Sequence, residues 1–461
     1  MNPFCLSNVS QNLTSEELLK GSFGIEWESL RAHSDGKLSL RPHPSVFGNK
    51  SSNPSITTDF SESQIEIITP TFDSIDEAYE VFTLLSDLVN TSLPEDECLW
   101  FQSLPCILPY SDKIPIAKYD ETGKDNENYR KELARKYGVQ KQLISGVHFN
   151  FSFKEDIIKK LYAKTKTNYT YKEFKNEVYL KIARNYLRYV WLIIYLTGCS
   201  VGAHKTFSPE CIHLMDKKDF KGSFYSKNGP SFRNASCGYK NKKHLHPSYK
   251  TVEHFTHDVQ NYINEGILSK PKELYTQIRL KPKNPLDLLE SLKKDGIEYI
   301  EIRTLDINPF YKCGMPKIDM KFLHLFLIYM LIKDESDYIN WQEESIINEE
   351  RSAERAYDDE MRLIKDGNKI TLKEWALELI DEMDYVLNQL NINEHSLLNQ
   401  MKSRIENPHL TYGKKLLKMI EKEGYINSQM RLFKNNKKSS ENSLKQNELT
   451  EKYAPVALAG K

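Results

Sequence analysis

Four segments of the chain alternate apolar residues with charged or hydrogen-bonding ones, a period of two that suits a β-strand with unlike faces. In GVHFNFSF, Val147, Phe149, Phe151 and Phe153 alternate with His148, Asn150 and Ser152. In GIEYIEIRTLDINPF (296–310), Ile300, Ile302 and Thr304 alternate with Tyr299, Glu301, Arg303 and Leu305. GIEWESL (24–30) places Glu26 and Glu28 on one face, and ITTDFSESQIEIITP (56–70) sets Asp59, Glu62 and Glu66 among Ile and Thr residues of high β-propensity. One such strand is the solvent-facing edge of an antiparallel sheet. Four suggest a shared concave face lined with carboxylates.

Clustered carboxylates raise one another's pKa unless a cation sits among them. Oxygen ligands with one imidazole suit Mg²⁺ or Mn²⁺ better than Zn²⁺. Several such ions beside an arginine are what phosphoryl transfer requires. From the pattern alone, an ATP–Mg²⁺ site and a solvated sheet face both remain open. No GxxxxGK[ST] motif occurs and no GxGxxG follows a strand, so any nucleotide must be held mainly through its metals.

Elsewhere the pattern is helical. Thr14 and Glu17 bracket a capping box, 74–93 has an apolar stripe from Ile75 to Val89, and a long helix is expected over 171–198. Residues 320–425 read as helical throughout, with Thr371 and Glu374 as a second capping box. The chain is therefore expected to be α+β, with one large body or two fused subdomains, since its 461 residues exceed the roughly 250–300 at which a single core stops growing. Residues 434–461 are polar enough to be expected as a flexible tail.

Lys+Arg and Asp+Glu each number 64, so no net field draws the protein to nucleic acid or to an anionic membrane. A small polar substrate fits better. The apolar runs VWLIIYL and FLHLFLIYMLI fall short of the roughly 20 residues of a membrane span and read as core helices. The N-terminus lacks a signal-peptide pattern, and the seven cysteines contain no CxxC pair; reduced thiols and a cytoplasmic location are expected. Cys106, between prolines, reads as a buried thiol, and His244, His246, His254 and His257 as surface residues.

In order along the chain, GIEWESLR, HPSVFGNK, ITTDFSESQIEIITP, LWFQSLPCILP, YRKELARKYG, ISGVHFNFSF and YIEIRTLDINPF resemble the bacterial glutamate-cysteine ligases. The nearest resemblance is to the type fused to glutathione synthetase, here without the ATP-grasp module. It runs from about residue 20 to 335 and more loosely to about 430. It implies a glutamine synthetase-like fold, with a curled antiparallel sheet as the active-site face, helices behind it and a helical C-terminal part. A catalytic domain over 1–433 follows, sheet-rich over 20–310 and helical over 320–425.

The implied reaction joins the γ-carboxylate of L-glutamate to the amine of L-cysteine through a γ-glutamyl phosphate, giving γ-glutamylcysteine, ADP and phosphate. ATP is co-substrate, two or three Mg²⁺ ions are cofactors with Mn²⁺ able to substitute, and a separate glutathione synthetase acts downstream. Position by position, the resemblance implies Glu26, Glu28, Asp59, Glu66, His148 and Glu301 as metal ligands, with Arg303 and Glu301 catalytic. It implies Gln142, Asn150 and Arg233 near the glutamate or the phosphoryl group, and Phe60, Tyr129, Tyr239 and Tyr275 around the cysteine. The family has Arg or Lys where this chain has Trp27, but strand parity points that side chain away from Glu26 and Glu28. A related carboxylate-amine ligase with another amine acceptor, and a catalytically silent binding protein, are the alternatives.

Overall fold

The structure is a computed structural model that describes residues 3–445, 447 and 449–458. Its central feature is an antiparallel sheet built on β1 (Gly21–His33), a 13-residue strand long enough to serve three partners. Along the sheet, β2 (Ile56–Thr58), β3 (Gln64–Ile68), β1 and β5 (Val147–Phe153) lie side by side, and β4 (Glu97–Trp100) pairs with the C-terminal end of β1. A small three-stranded sheet holds β6 (Gly202–His204), β7 (Lys217–Lys218) and β8 (Ser223–Tyr225). The main sheet is completed by β9 (Ile278–Lys281) and β10 (Tyr299–Leu305), in the order β2-β3-β1-β5-β10-β9.

Strand parity does what the sequence requires. Ile25, Trp27, Phe149, Phe151, Ile278, Ile300 and Ile302 all face the core and are essentially inaccessible. Behind them pack the helices Ile75–Ser92, Tyr171–Thr197 and Lys317–Ile332. The last two carry the long apolar runs, and no helix among the described residues is long and apolar enough to cross a membrane. Ser74 caps the first of these helices and Thr170 with Glu173 forms a capping box on the second. His324, between Phe23 and Phe151 at ring-centroid distances of 4.9 and 5.0 Å, is held neutral by burial, its pKa lowered to about 3.

The helical region departs from expectation in one place: a hairpin of Leu363–Lys365 and Asn368–Ile370 separates Trp341–Arg355 from Leu372–Gln389. Asp366 and Gly367 take positive φ at its turn, which breaks the helix. Thr371 accepts the Glu374 amide, one half of the expected box.

Two further expectations are corrected. The stretch from 434 does not start a flexible tail, because 434–444 is the second half of the helix Tyr425–Leu444, and Thr450–Ala457 is helical too. Its buried face is polar: Asn436 donates to Pro309 O at 3.0 Å, Ser440 Oγ meets Asn90, and Ser443 Oγ meets Lys312. Residues 446, 448 and 459–461 of that stretch lie outside the described residues. The cysteines are not all free either. Cys211 and Cys237, 26 positions apart, form a disulfide. Cys106 is a buried thiol as expected.

Candidate active site

The register of three strand pairs assembles the site. Across β1 and β3, Glu28 lies opposite Glu66; across β1 and β5, Glu26 lies opposite His148; and across β5 and β10, Asn150 lies opposite Glu301. Directly opposed residues have Cβ atoms about 4.5–5.5 Å apart, so carboxylates far apart in sequence become neighbours. A register shift in the β10–β5 ladder falls between Ile302 and Leu305, next to Arg303. Such irregularities re-aim side chains and gather beside active sites.

One pocket is lined by Glu26, Glu28, Asp59, Phe60, Glu66, Tyr129, Gln142, His148, Tyr239, Tyr275, Glu301 and Arg303. Twelve of the fourteen residues singled out from the sequence thus face one space. Arg233 lines a smaller adjoining cavity with Arg303, Tyr239 and Tyr275, and Asn150 donates to Glu26 Oε1 at 2.9 Å. The rings of Tyr239 and Tyr275 lie 4.4 Å apart.

Among the described residues, Glu26, His148 and Glu301 offer ligand atoms that all lie within 4.8 Å of one another. His148 Nδ1 is 3.2 Å from Glu26 Oε2. Burial, then the charge of Arg303, lowers the imidazole pKa to about 4, so the ring is neutral. Burial works against ionisation of Glu26, but the hydrogen bond from His148 brings its carboxyl below the usual range. Nδ1 also lies 3.8 Å from Glu301 Oε1 and 3.5 Å from Arg303 Nη1, so it is the ring atom that faces the Glu26–Glu301 pair. The other ring nitrogen, Nε2, is buried without a hydrogen-bond partner among the described residues and lies 3.7 Å from Glu28 Oε1. Asn150 Oδ1 is likewise buried and unpartnered.

Glu301 is the electrostatic hub. Burial disfavours its charge, but Arg303, Lys281 and Arg279 hold it well below the usual carboxylate range. Arg303 Nη1 donates to Oε1, Lys281 Nζ to Oε2 at 2.7 Å, and Arg279 Nη1 lies 3.7 Å away. The other cluster behaves in the opposite way. Burial, then Asp59, pushes the Glu28 carboxyl up to about 8, and burial with Asp59, Glu26 and Glu28 raises Glu66. A buried, mutually repelling carboxylate set with an unpartnered imidazole nitrogen fits a hard divalent cation.

Arg130, Lys272, Arg279 and Lys281 also line the pocket and were missed from the sequence. For the β9 pair a signal existed: Arg279 and Lys281 alternate with buried Ile278 and Leu280, the same period of two. Trp27 is buried in the core against Phe101 and Phe82, at 5.6 and 6.1 Å, on the face away from the carboxylates.

A family model described as glutamate-cysteine ligase matches residues 6–266 and 243–353. The chain belongs to the glutamate-cysteine ligase family. It is 40% identical over 447 residues to the glutathione biosynthesis bifunctional protein of Clostridium perfringens, covering 95% of this chain and 57% of that one. With the bifunctional protein of Listeria innocua the identity is 38% over 418 residues, covering 89% of this chain and 53% of the other. The chain thus spans little more than half the length of these curated relatives. Among solved structures, the glutamate-cysteine ligase of Francisella tularensis in complex with AMP superposes with a TM-score of 0.86 at 26% identity, covering 96% of this chain and 92% of that one. The bifunctional glutathione synthetase of Pasteurella multocida gives 0.83 at 25% identity, over 99% of this chain and 57% of the other.

Proposed function

We propose that the chain joins the γ-carboxylate of L-glutamate to the amine of L-cysteine at the expense of ATP, giving γ-glutamylcysteine, ADP and phosphate. The observation that carries this reading is the strand register that brings Glu26, His148 and Glu301 together beside Arg303, in a member of this family. The γ-carboxylate attacks the γ-phosphorus of ATP and ADP leaves. The amine of cysteine then attacks the activated carbonyl carbon, phosphate departs, and an amide remains. Activation is needed because a free carboxylate is a poor acyl donor.

Divalent cations, held by Glu26, His148 and Glu301 and by Glu28, Asp59 and Glu66, would neutralise the phosphate charges; we take Mg²⁺, two or three ions with Mn²⁺ able to substitute, as the set. Arg303 supplies a guanidinium to the transferred phosphoryl group, an electrostatic role that typically contributes most to such chemistry. Arg233, whose Nη2 donates to Arg303 O at 2.8 Å while its Nε has no partner among the described residues, offers further donors from the adjoining cavity to an anionic substrate group. Gln142 and Asn150 complete the polar wall. Phe60, Tyr129, Tyr239 and Tyr275 form the aromatic side of the pocket and would pack the acceptor side chain, with hydroxyls for its carboxylate.

We read the sheet as the curled, glutamine synthetase-like kind, and the sheet-rich and helical parts as one catalytic unit that includes the helix Tyr425–Leu444. Cytoplasmic ATP and a downstream glutathione synthetase complete the proposal. Purified chain with Mg-ATP and glutamate should release ADP when cysteine is added, less with 2-aminobutyrate and least with amines lacking a carboxylate. Stimulation by some other amine in preference to cysteine would make it a carboxylate-amine ligase of different acceptor. No stimulation by any acceptor would sink the ligase reading.

A further inference from the structure

The parity of ITTDFSESQIEIITP puts Glu62 beside Glu66, but the two do different things. The chain reverses between β2 and β3, and the reversal presents Asp59 and Phe60 to the pocket. Glu62 is in this turn rather than on a strand, and only 6% of it is exposed. A short turn left to itself would sample many conformations, since fixing each backbone residue costs about 1–2 kcal/mol.

Glu62 gathers three donors from three other parts of the chain. Its Oε2 accepts the His43 amide at 2.7 Å, and its Oε1 accepts the Lys118 amide at 2.7 Å together with the Lys50 ammonium. Its own amide donates to Pro115 O at 3.0 Å, and its carbonyl accepts Arg31 Nη2 at 3.1 Å. Arg31 is fixed in turn by the buried Glu97 at 2.5 Å. The segment that Glu62 captures is the one that holds the turn: Ala117 N donates to Phe60 O at 3.0 Å, Ser61 Oγ to Pro115 O at 2.6 Å, and Tyr119 OH to Thr58 O at 3.1 Å.

We propose that Glu62 is a positioning residue that sets the Asp59–Phe60 turn against the carboxylate cluster, and so tunes both cation binding at Asp59 and the fit of the amine acceptor against Phe60. Both parts rest on the reading above, the acceptor part on the ligation and the cation part on Asp59 as a ligand beside Glu28 and Glu66. With about four acceptor positions on a carboxylate and three taken by these donors, Glu62 has little left with which to ligate a cation itself. Burial opposes its charge, but the Lys118 amide and Lys50 keep its carboxyl below the usual range, so it acts as a constant acceptor. A glutamine of the same shape would turn its NH₂ group toward one of the two amide donors and break that contact.

The test is Glu62→Gln, with Glu62→Asp as the conservative variant and Mn²⁺ as the probe, its free concentration read by electron paramagnetic resonance. Supporting residues of this kind typically alter metal affinity about 10–100-fold. Glu62→Gln should therefore weaken one class of Mn²⁺ site by roughly that factor while the Glu26–His148–Glu301 class is retained, and Glu62→Asp should recover part of the loss. With Mn²⁺ raised to saturate the weakened site, KM for the acceptor should still rise while KM for ATP returns to the wild-type value. A lowered melting temperature with an unaltered Mn²⁺ isotherm would show Glu62 to be structural only and overturn the proposal. If Glu62→Gln does not fold, Lys50→Met removes one of the three donors and must move the same two quantities; if it moves neither, the proposal fails. A wild-type chain that never releases ADP with cysteine would overturn the ligase reading, and the Mn²⁺ isotherm would still decide the role of Glu62.

Discussion

If Glu28 and Glu66 sit in a site made for cations, the protein without cations should become less stable as pH rises, and a cation should reverse this. Burial, then Asp59, pushes the Glu28 carboxyl up to about 8. A carboxyl whose folded-state pKa lies above its unfolded one binds its proton more tightly when folded. That contribution to stability is complete below the unfolded pKa, near 4.3, and is lost progressively as pH rises through about 8. At 1.36 kcal/mol per pKa unit the loss for Glu28 alone amounts to about 3–5 kcal/mol across that window. Glu66 shifts in the same direction, but the two titrate as neighbours, so their effects do not simply add. Thermal unfolding should be followed with EDTA and with Mg²⁺ at several pH values between about 6 and 8.5. The increment from Mg²⁺ should grow with pH over that range, and Glu28→Gln should flatten the growth. An increment independent of pH, or one that Glu28→Gln leaves as steep as before, would refute the reasoning.

Three other outcomes follow from particular contacts. Glu301→Gln removes the charge that faces Arg303, Lys281 and Arg279; turnover should fall at least about 10³-fold and Mg-ATP binding should weaken, as initial rates and calorimetry would show. Reducing the disulfide between Cys211 and Cys237 should lower unfolding stability by about 3 kcal/mol in denaturant titrations, given the 26-residue separation. Activity should survive reduction, because Asn234 donating to Thr304 O and Ser236 bound to Glu354 still hold the loop that bears Arg233. Asn436→Ala should cost about 1 kcal/mol by leaving Pro309 O without its donor, a loss that a flexible segment would not show.

The side of each strand was legible from the sequence, because alternation fixes which residues share a face. Glu26, Glu28, Glu66, His148 and Glu301 were found that way, and Trp27 was correctly turned to the core. Register was not legible. That Glu28 meets Glu66 and Glu26 meets His148 depends on long-range pairing, which one strand's pattern does not encode. Alternation would set Glu62 on the face of Glu66, but Glu62 lies in the turn between β2 and β3, where parity loses its meaning. The helix over 434–444 was missed because it is held by Asn436, Ser440 and Ser443 rather than by an apolar stripe, so composition pointed to solvent. The pairing of Cys211 with Cys237 is a matter of proximity, with Cα atoms 5.2 Å apart, and no spacing motif announces it.

The proposed reaction requires that the γ-carboxylate of glutamate be phosphorylated before the amide bond forms. Glutamate labelled with heavy oxygen in its γ-carboxylate, turned over with Mg-ATP and cysteine, tests this through mass analysis of the products. The account predicts one labelled oxygen per turnover in the released inorganic phosphate. Label found in AMP, or phosphate free of label while amide accumulates, would contradict it.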